Sequence, residues 1–247
     1  MLENKTALVT GAAQGIGLAV AKEFAKQGAN VALVDYNADE VKSSAADLQK
    51  SSKGKVLPFV CDVTDSDKVD QCIQDVVDSF GQLDYAVNNA GGGILKPFAD
   101  LTNDDFDKTV NVDFYGTFYC MRAEIKQFLK QDSGSIVNTG ALGSFYNPGG
   151  MGAYIAAKNG IMGMTQAAAT DYADKNIRVN CVAPGFTKTA LVTEDFEKNV
   201  LPTVPMKRAE SPEEVAKVFV FVASQATFMT GQTILSDGGV AVGLKTL

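Results

Sequence analysis

Thr6-Ala7-Leu8-Val9-Thr10-Gly11-Ala12-Ala13-Gln14-Gly15-Ile16-Gly17 places a short apolar run directly before three glycines in a GxxxGxG spacing. The run reads as a β-strand, and the amphipathic stretch at about 15–27 that follows reads as a helix. Glycines 11, 15 and 17 allow a tight turn, a close approach of backbone to a pyrophosphate, and close packing of helix on sheet. The helix N-terminus, at Gln14, Gly15, Ile16 and Gly17, offers free amides to an anion. A glycine triplet alone is weak evidence. The strand before it and the helix after it make it a phosphate cradle.

Outward from this stretch, short apolar runs alternate with longer amphipathic ones. Strands are expected at Thr6–Thr10, Asn30–Asp35, Val56–Cys61, Tyr85–Asn88, Ser135–Asn138, Ile177–Val182 and Thr233–Ser236. Several carry apolar residues in succession rather than in alternation, as strands covered on both faces do. Helices are expected at about 15–27, 39–50, 66–80, 103–130, 153–173 and 212–223. Asn37, Asp65 or Ser66, and Ser211 stand at their starts as caps, with Pro212 at a first helical position. Right-handed crossovers then give an α/β fold: one doubly wound, seven-stranded parallel sheet with helices on both faces, a single-domain Rossmann fold over 1–247. The one long irregular segment, about 185–211, contains Pro202 and Pro205 and reads as a substrate-capture loop.

Composition narrows the chemistry. The 247 residues include no His and no Trp, so a Ser-His-Asp triad, an HExxH zinc helix and a histidine general base are excluded. A net charge of −7 opposes nucleic-acid binding. Cys61, Cys72, Cys120 and Cys181 form no CxxC pair, so no metal site is expected and the four read as buried free thiols suited to a reducing compartment. The N-terminus enters a strand at once, leaving no room for a signal peptide, and no window of about 18 residues is free of polar groups. A cytoplasmic protein, in contact with neither membrane nor nucleic acid, is the expectation.

The second strand ends at Asp35, 24 residues beyond Gly11. A carboxylate there accepts hydrogen bonds from adenosine ribose hydroxyls and repels a 2′-phosphate. No Arg or Lys stands at Gln14, Tyr36 or Asn37 to hold that phosphate, so NAD is the expected cofactor.

At this point the chain resembles the short-chain dehydrogenases/reductases. TGAAQGIG is similar to that family's TGxxxGIG, Asn88-Asn89-Ala90-Gly91 to its NNAG, Tyr154-Ile155-Ala156-Ala157-Lys158 to its YxxxK, and Pro184-Gly185-Phe186-Thr187-Lys188-Thr189 to its PGxxxT. The likeness extends, in order, over nearly the whole chain. It implies that Asp62 and Val63 touch the adenine, that Asn89, Ala90 and Gly91 touch the ribose, and that Pro184, Gly185, Phe186, Thr187 and Thr189 line the nicotinamide side. It also implies a homotetramer assembled through the helices at 103–130 and 153–173, where Gly160 and Gly163 permit close approach. Met162, Met164 and Phe128 read as core or subunit contacts.

Tyr154 and Lys158, four apart on one helix face, are the expected reacting pair. A phenol with a pKa near 10 must fall by roughly 3 to ionise near neutrality, about 4 kcal/mol of preferential stabilisation. A lysine ammonium and a cationic nicotinamide together supply it. By the resemblance, an asparagine on the long preceding helix joins a proton relay, and Asn111 matches its setting. A serine is also implied thirteen residues before the tyrosine, hydrogen-bonded to the substrate oxygen, but residue 141 is Ala. Loss of one such donor typically costs about 10²–10³ in rate. Three accounts stand open: Ser144 takes over because Gly140 and Gly143 let the loop run differently; Ala141 is an altered position in an otherwise complete, slower enzyme; or the chain is a nucleotide-binding regulatory protein with little turnover. The loop from Phe145 to Gly152, with Gly92, Gly93 and Ile94, is apolar and aims no fixed cation at the reacting carbon. That favours a neutral ketone or secondary alcohol over an anionic compound as the small-molecule substrate.

Overall fold

Seven apolar runs form one parallel sheet in the order β3-β2-β1-β4-β5-β6-β7. The structure, a computed structural model, describes residues 2–147, 149–189 and 194–243, without the side chains of residues 194–196. The strands are β1 Thr6–Thr10, β2 Asn30–Asp35, β3 Val56–Val60, β4 Tyr85–Asn88, β5 Gly134–Thr139, β6 Ile177–Pro184 and β7 Thr233–Ser236. All five residues of β1 are buried. Its successive side chains serve opposite faces: Ala7 and Val9 join one core, Leu8 the other. That is why the sequence shows an unbroken apolar run there instead of an alternating one.

Helices α1 Gly15–Lys26, α2 Ala38–Gln49 and α8 Pro212–Ser224 cover one face, where Phe24, Val41 and Phe219 pack together. Helices α3 Ser66–Phe80, α5 Gly116–Gln131 and α6 Gly152–Tyr172 cover the other, around Ile73, Phe128 and Ala168. Side-chain caps at Asn37 and Asp65 begin α2 and α3. Ser211 and Glu214 form a capping box around Pro212 at the start of α8. All four cysteines are buried and free. Among the described residues, no helix is long and apolar enough to cross a membrane.

Two expectations need correction. The continuous helix at 103–130 is instead α4 Asn103–Val110, a π-helical turn at Asn111–Tyr115, and α5. The extra residue in that turn is held by the Thr117 hydroxyl, which donates to the Asp113 carbonyl at 2.6 Å, and by Gly116, where a Cβ would come within 2.8 Å of Val63 Cγ2. The segment 185–211 is not irregular throughout. It contains the short helix α7 Glu194–Val200 and a 3₁₀ turn at Leu201–Thr203, pinned by buried Val204; residues 190–193 lie outside those described. Both elements are too short for hydrophobic periodicity to reveal.

The strand order places the site. From β1 the chain moves out to β2 and β3, then returns to β4 on the other side of β1, so neighbouring crossovers diverge between the carboxyl ends of β1 and β4. Ligands of open α/β sheets bind in that crevice.

Candidate active site

At the end of β1, Gly11 has φ +63°, and a side chain there would press on the Ala90 backbone at 2.9 Å. Gly17 sits so close beneath the turn that a Cβ would come within 2.7 Å of Asn89 Nδ2. Glycine is therefore required at both places, one for its conformation and one for its size. Whereas α2, α3, α4 and α8 carry capping side chains, Gln14 makes no side-chain cap on α1 and the first turn holds no acidic residue. The amides of Gly15, Ile16 and Gly17 thus face the crevice as an uncapped helix N-terminus, which fits the pyrophosphate of a dinucleotide.

The NNAG turn is bound to this loop. Asn89 Nδ2 donates to the Thr10 and Gly11 carbonyls at 3.2 and 3.3 Å, and the Asn89 and Ala90 amides both donate to Thr10 Oγ1 at 3.0 Å. Asp35, 8% exposed at the end of β2, accepts from the Ala13 amide at 3.1 Å and the Asn37 amide at 3.0 Å. It fixes the cradle while keeping lone pairs for a ribose. Asp62 is exposed and accepts from the Thr64 amide and hydroxyl, and Val63 beside it is buried against Gly116.

Tyr154 and Lys158 stand on the first turns of α6. Lys158 Nζ lies 5.4 Å from the Tyr154 ring centre, donates to the Thr139 carbonyl at 3.1 Å, and pairs with Asp113 Oδ1 at 2.8 Å. Lys158 and Asp113 are 3% and 0% exposed, so this ion pair is closed to water. The other oxygen of Asp113 accepts from the Gly92 amide at 3.1 Å. Burial alone would lower the Lys158 pKa, yet the facing Asp113 carboxylate and Tyr154 raise it above the ordinary lysine value. Burial raises the Tyr154 pKa; Lys158 pulls it down and Asp113 pushes it up.

Asp113 was not singled out by the sequence. Asn111, expected to join the proton relay, is exposed and makes no side-chain hydrogen bond among the described residues. The residue two positions on, Asp113 inside the same π turn, faces Lys158 instead. A signal was present: an aspartate amid apolar and aromatic neighbours, Val112 and Phe114, is costly unless paired.

Tyr154 lines a cavity of about 680 Å³ together with Ile16, Thr139, Ala141, Leu142, Met151, Val204 and the PGxxxT residues Pro184, Gly185, Phe186, Thr187 and Thr189. The cavity therefore reaches from the cradle to the reacting pair. Among the described residues its one charged lining residue, Lys96, is neutralised by Asp105 at 2.6 Å. Ala141 is 7% exposed in extended backbone beside Tyr154. Ser144 is not brought there. A 3₁₀ turn at Leu142–Ser144 carries it off the lining, and its hydroxyl is buried without a hydrogen-bond partner. Gly143 cannot carry a Cβ without striking Ile155, so its freedom serves packing against α6. Behind the site, Asn88 Nδ2 donates to buried Glu124 and to Asn138, each at 3.0 Å. Burial raises the Glu124 pKa to about 8.

The family model described as enoyl-(acyl carrier protein) reductase matches residues 11–241. The chain is 38% identical over 245 residues to 3-oxoacyl-(acyl-carrier-protein) reductase FabG of Thermotoga maritima, covering 98% of this chain and 99% of the relative. It is 35% identical over 245 residues to the protein of the same name from Chlamydia muridarum, with the same coverage. Among solved structures, a short-chain type dehydrogenase/reductase from Mycobacterium marinum superposes with a TM-score of 0.94 at 32% identity, covering 98% of this chain and 97% of that one. An NAD+-bound xylitol dehydrogenase superposes with a TM-score of 0.90 at 31% identity, covering 96% and 99%. Sheet order, uncapped cradle, Tyr-Lys pair and full-length likeness agree: the chain belongs to the short-chain dehydrogenase/reductase family of oxidoreductases.

Proposed function

We propose that this protein is an NAD-dependent oxidoreductase that interconverts a small neutral ketone and the corresponding secondary alcohol. The observation that carries the reading is the single cavity that joins the cradle to Tyr154, with Lys158 buried directly beneath. When bound, the nicotinamide supplies or accepts the hydride. Gly11, Gln14, Gly15, Ile16 and Gly17 hold the pyrophosphate, Asp35 the adenosine ribose, Asp62 and Val63 flank the adenine, and Asn89, Ala90 and Gly91 border the ribose. Pro184 through Thr187 and Thr189 orient the nicotinamide face. In reduction the Tyr154 hydroxyl hands its proton to the carbonyl oxygen, and in oxidation the phenolate takes it back. Lys158 stabilises the phenolate as it forms.

NAD rather than NADP is supported by Asp35, a carboxylate at the ribose with no cation beside it to hold a 2′-phosphate. The lining favours neutral substrates because its one cation among the described residues is already paired. In the 3-oxoacyl-(acyl-carrier-protein) named for the FabG relatives, the reacting ketone is neutral although its carrier is a protein, so the ketone end alone meets that description. Ala141 leaves the developing oxyanion with Tyr154 as its side-chain donor, so turnover is slow. The same vacancy favours the second reading, a nucleotide-binding regulator with little turnover.

The protein assembles as a homotetramer through α5 and α6. Phe118 and Tyr115 are 39% and 45% exposed there, and Gly163 has open space beside it. Gly160 does not serve that contact, because its missing Cβ accommodates the chain's own Phe114 ring. Phe128 is core. The free buried thiols suit the cytoplasm. Steady-state NADH oxidation against neutral ketones, diketones and 3-oxoacyl thioesters tests the enzyme reading. Tight NADH binding with no turnover on any of them overturns it in favour of the regulator.

A further inference from the structure

The buried carboxylate beside Lys158 has no part in the proton transfer just described, and its setting is specific. Asp113 offers one oxygen to Lys158 Nζ at 2.8 Å and the other to the Gly92 amide at 3.1 Å, with no exposed surface. The π turn that delivers it interrupts a helix which would otherwise run from Asn103 to Gln131. Gly91 makes room for it: a methyl there would overlap Asp113 Oδ1 and come within 3.3 Å of Lys158 Nζ. Gly93 likewise leaves Tyr154 its place, since a Cβ would lie 2.8 Å from the tyrosine Cβ. A costly helix irregularity and a sterically required glycine thus both serve one ion pair.

We propose that Asp113 is a positioning residue of the reacting pair: it seats Lys158 and, by sharing that lysine's charge, raises the pH at which the Tyr154–Lys158 pair loses its first proton. The groups facing the pair are Asp113 from the π turn, the Thr139 carbonyl from β5, the Cys181 thiol from β6 and the Gly92 amide from the loop after β4. Of these, Asp113 is the anion. With it in place, ionising Tyr154 sets two negative charges against one ammonium; without it, the phenolate becomes the lysine's sole counter-ion. In the ionised state Tyr154 is a base for alcohol oxidation, and in the neutral state a donor for carbonyl reduction. Asp113 therefore extends the donor state to higher pH and moves the rise of oxidation to more alkaline conditions.

This inference rests on the oxidoreductase reading, and its test separates the two. Tyrosinate absorbance in the near ultraviolet is titrated for the wild type and for Asp113→Asn, each minus its Tyr154→Phe counterpart, with the pH dependence of alcohol oxidation recorded alongside. An asparagine keeps the shape while removing the charge. The expected result is a fall of roughly 1–3 in the pH of the Tyr154 transition, the range a neighbouring charge produces, with the oxidation limb moving equally. An unchanged or higher transition in Asp113→Asn overturns the proposal. If Asp113→Asn fails to fold, Asp113→Ser is read by the same criterion. Absence of turnover in the wild type would overturn the enzyme reading, while the absorbance titration would still decide the role of Asp113.

Discussion

Replacing Ala141 by Ser restores a hydroxyl where the cavity meets Tyr154. Ala141 is 7% exposed, follows β5 in extended backbone and shares the cavity lining with the tyrosine. One preorganised donor to a developing oxyanion contributes about 2.7–4 kcal/mol, or 10²–10³ in rate. That gain is reachable only if the hydroxyl meets the oxyanion at about 2.7–3.1 Å. Stability bounds the other side: a buried hydroxyl left unpaired costs about 1–3 kcal/mol, so the variant should melt at most about 12 °C lower. The assay is NADH oxidation under single-turnover conditions, which isolates chemistry from product release. A rise of two orders of magnitude in the chemical step, with NADH affinity unchanged, is the expected outcome. A rise below tenfold in a folded variant would refute the reasoning that the vacancy limits the rate.

Further outcomes follow from the same geometry. Tyr154→Phe should abolish turnover yet keep NADH affinity, measured by fluorescence titration, because the phenol oxygen touches the substrate and not the cradle. Asp35→Ser should erode the preference for NADH over NADPH in kcat/KM, and should lower stability by about 1–3 kcal/mol because the Ala13 and Asn37 amides lose their acceptor. Ser144→Ala should leave kcat/KM within a factor of about two, since its hydroxyl is off the lining, while Tm should hold or rise because an unpartnered polar atom is removed. Glu124, raised to about 8 by burial, holds its proton in the folded state over a range where the unfolded carboxyl has lost it. Folding stability should therefore fall as pH rises from about 4.5 to about 8, and Glu124→Gln should flatten that slope in pH-dependent melting.

Most of the sheet was legible because its inner strands are buried on both faces and therefore written as unbroken apolar runs: β1, β2 and β4 fall where the sequence places them, as does the half-buried edge strand β7. The cradle was legible because steric demands on Gly11 and Gly17 leave glycine as the residue that fits. What escaped was the phase of one helix. A motif match on Thr109-Val110-Asn111-Val112 reveals neither where regular winding stops nor which residue of the π turn Asn111–Tyr115 faces the lysine. Asp113 was invisible to that count, although a charge flanked by Val112 and Phe114 signals a buried pair. Ser144 failed for a related reason: glycines on either side of a loop position suggest freedom, but Gly143 is small to clear Ile155, and the 3₁₀ turn fixes the path.

The π turn also separates tolerance of the fold from tolerance of the function. Removing one residue from 111–115 lets the segment close into ordinary α-helix, because the five-residue turn already contains the surplus. The long helix could stay docked on both sides of the deletion, with its apolar stripe still in phase, while the aspartate swings away from its lysine. A single-codon deletion at this place is thus an edit to proton chemistry written in helical phase, and the same length change inside α5 ahead of Phe128 would instead turn Phe128 out of the core.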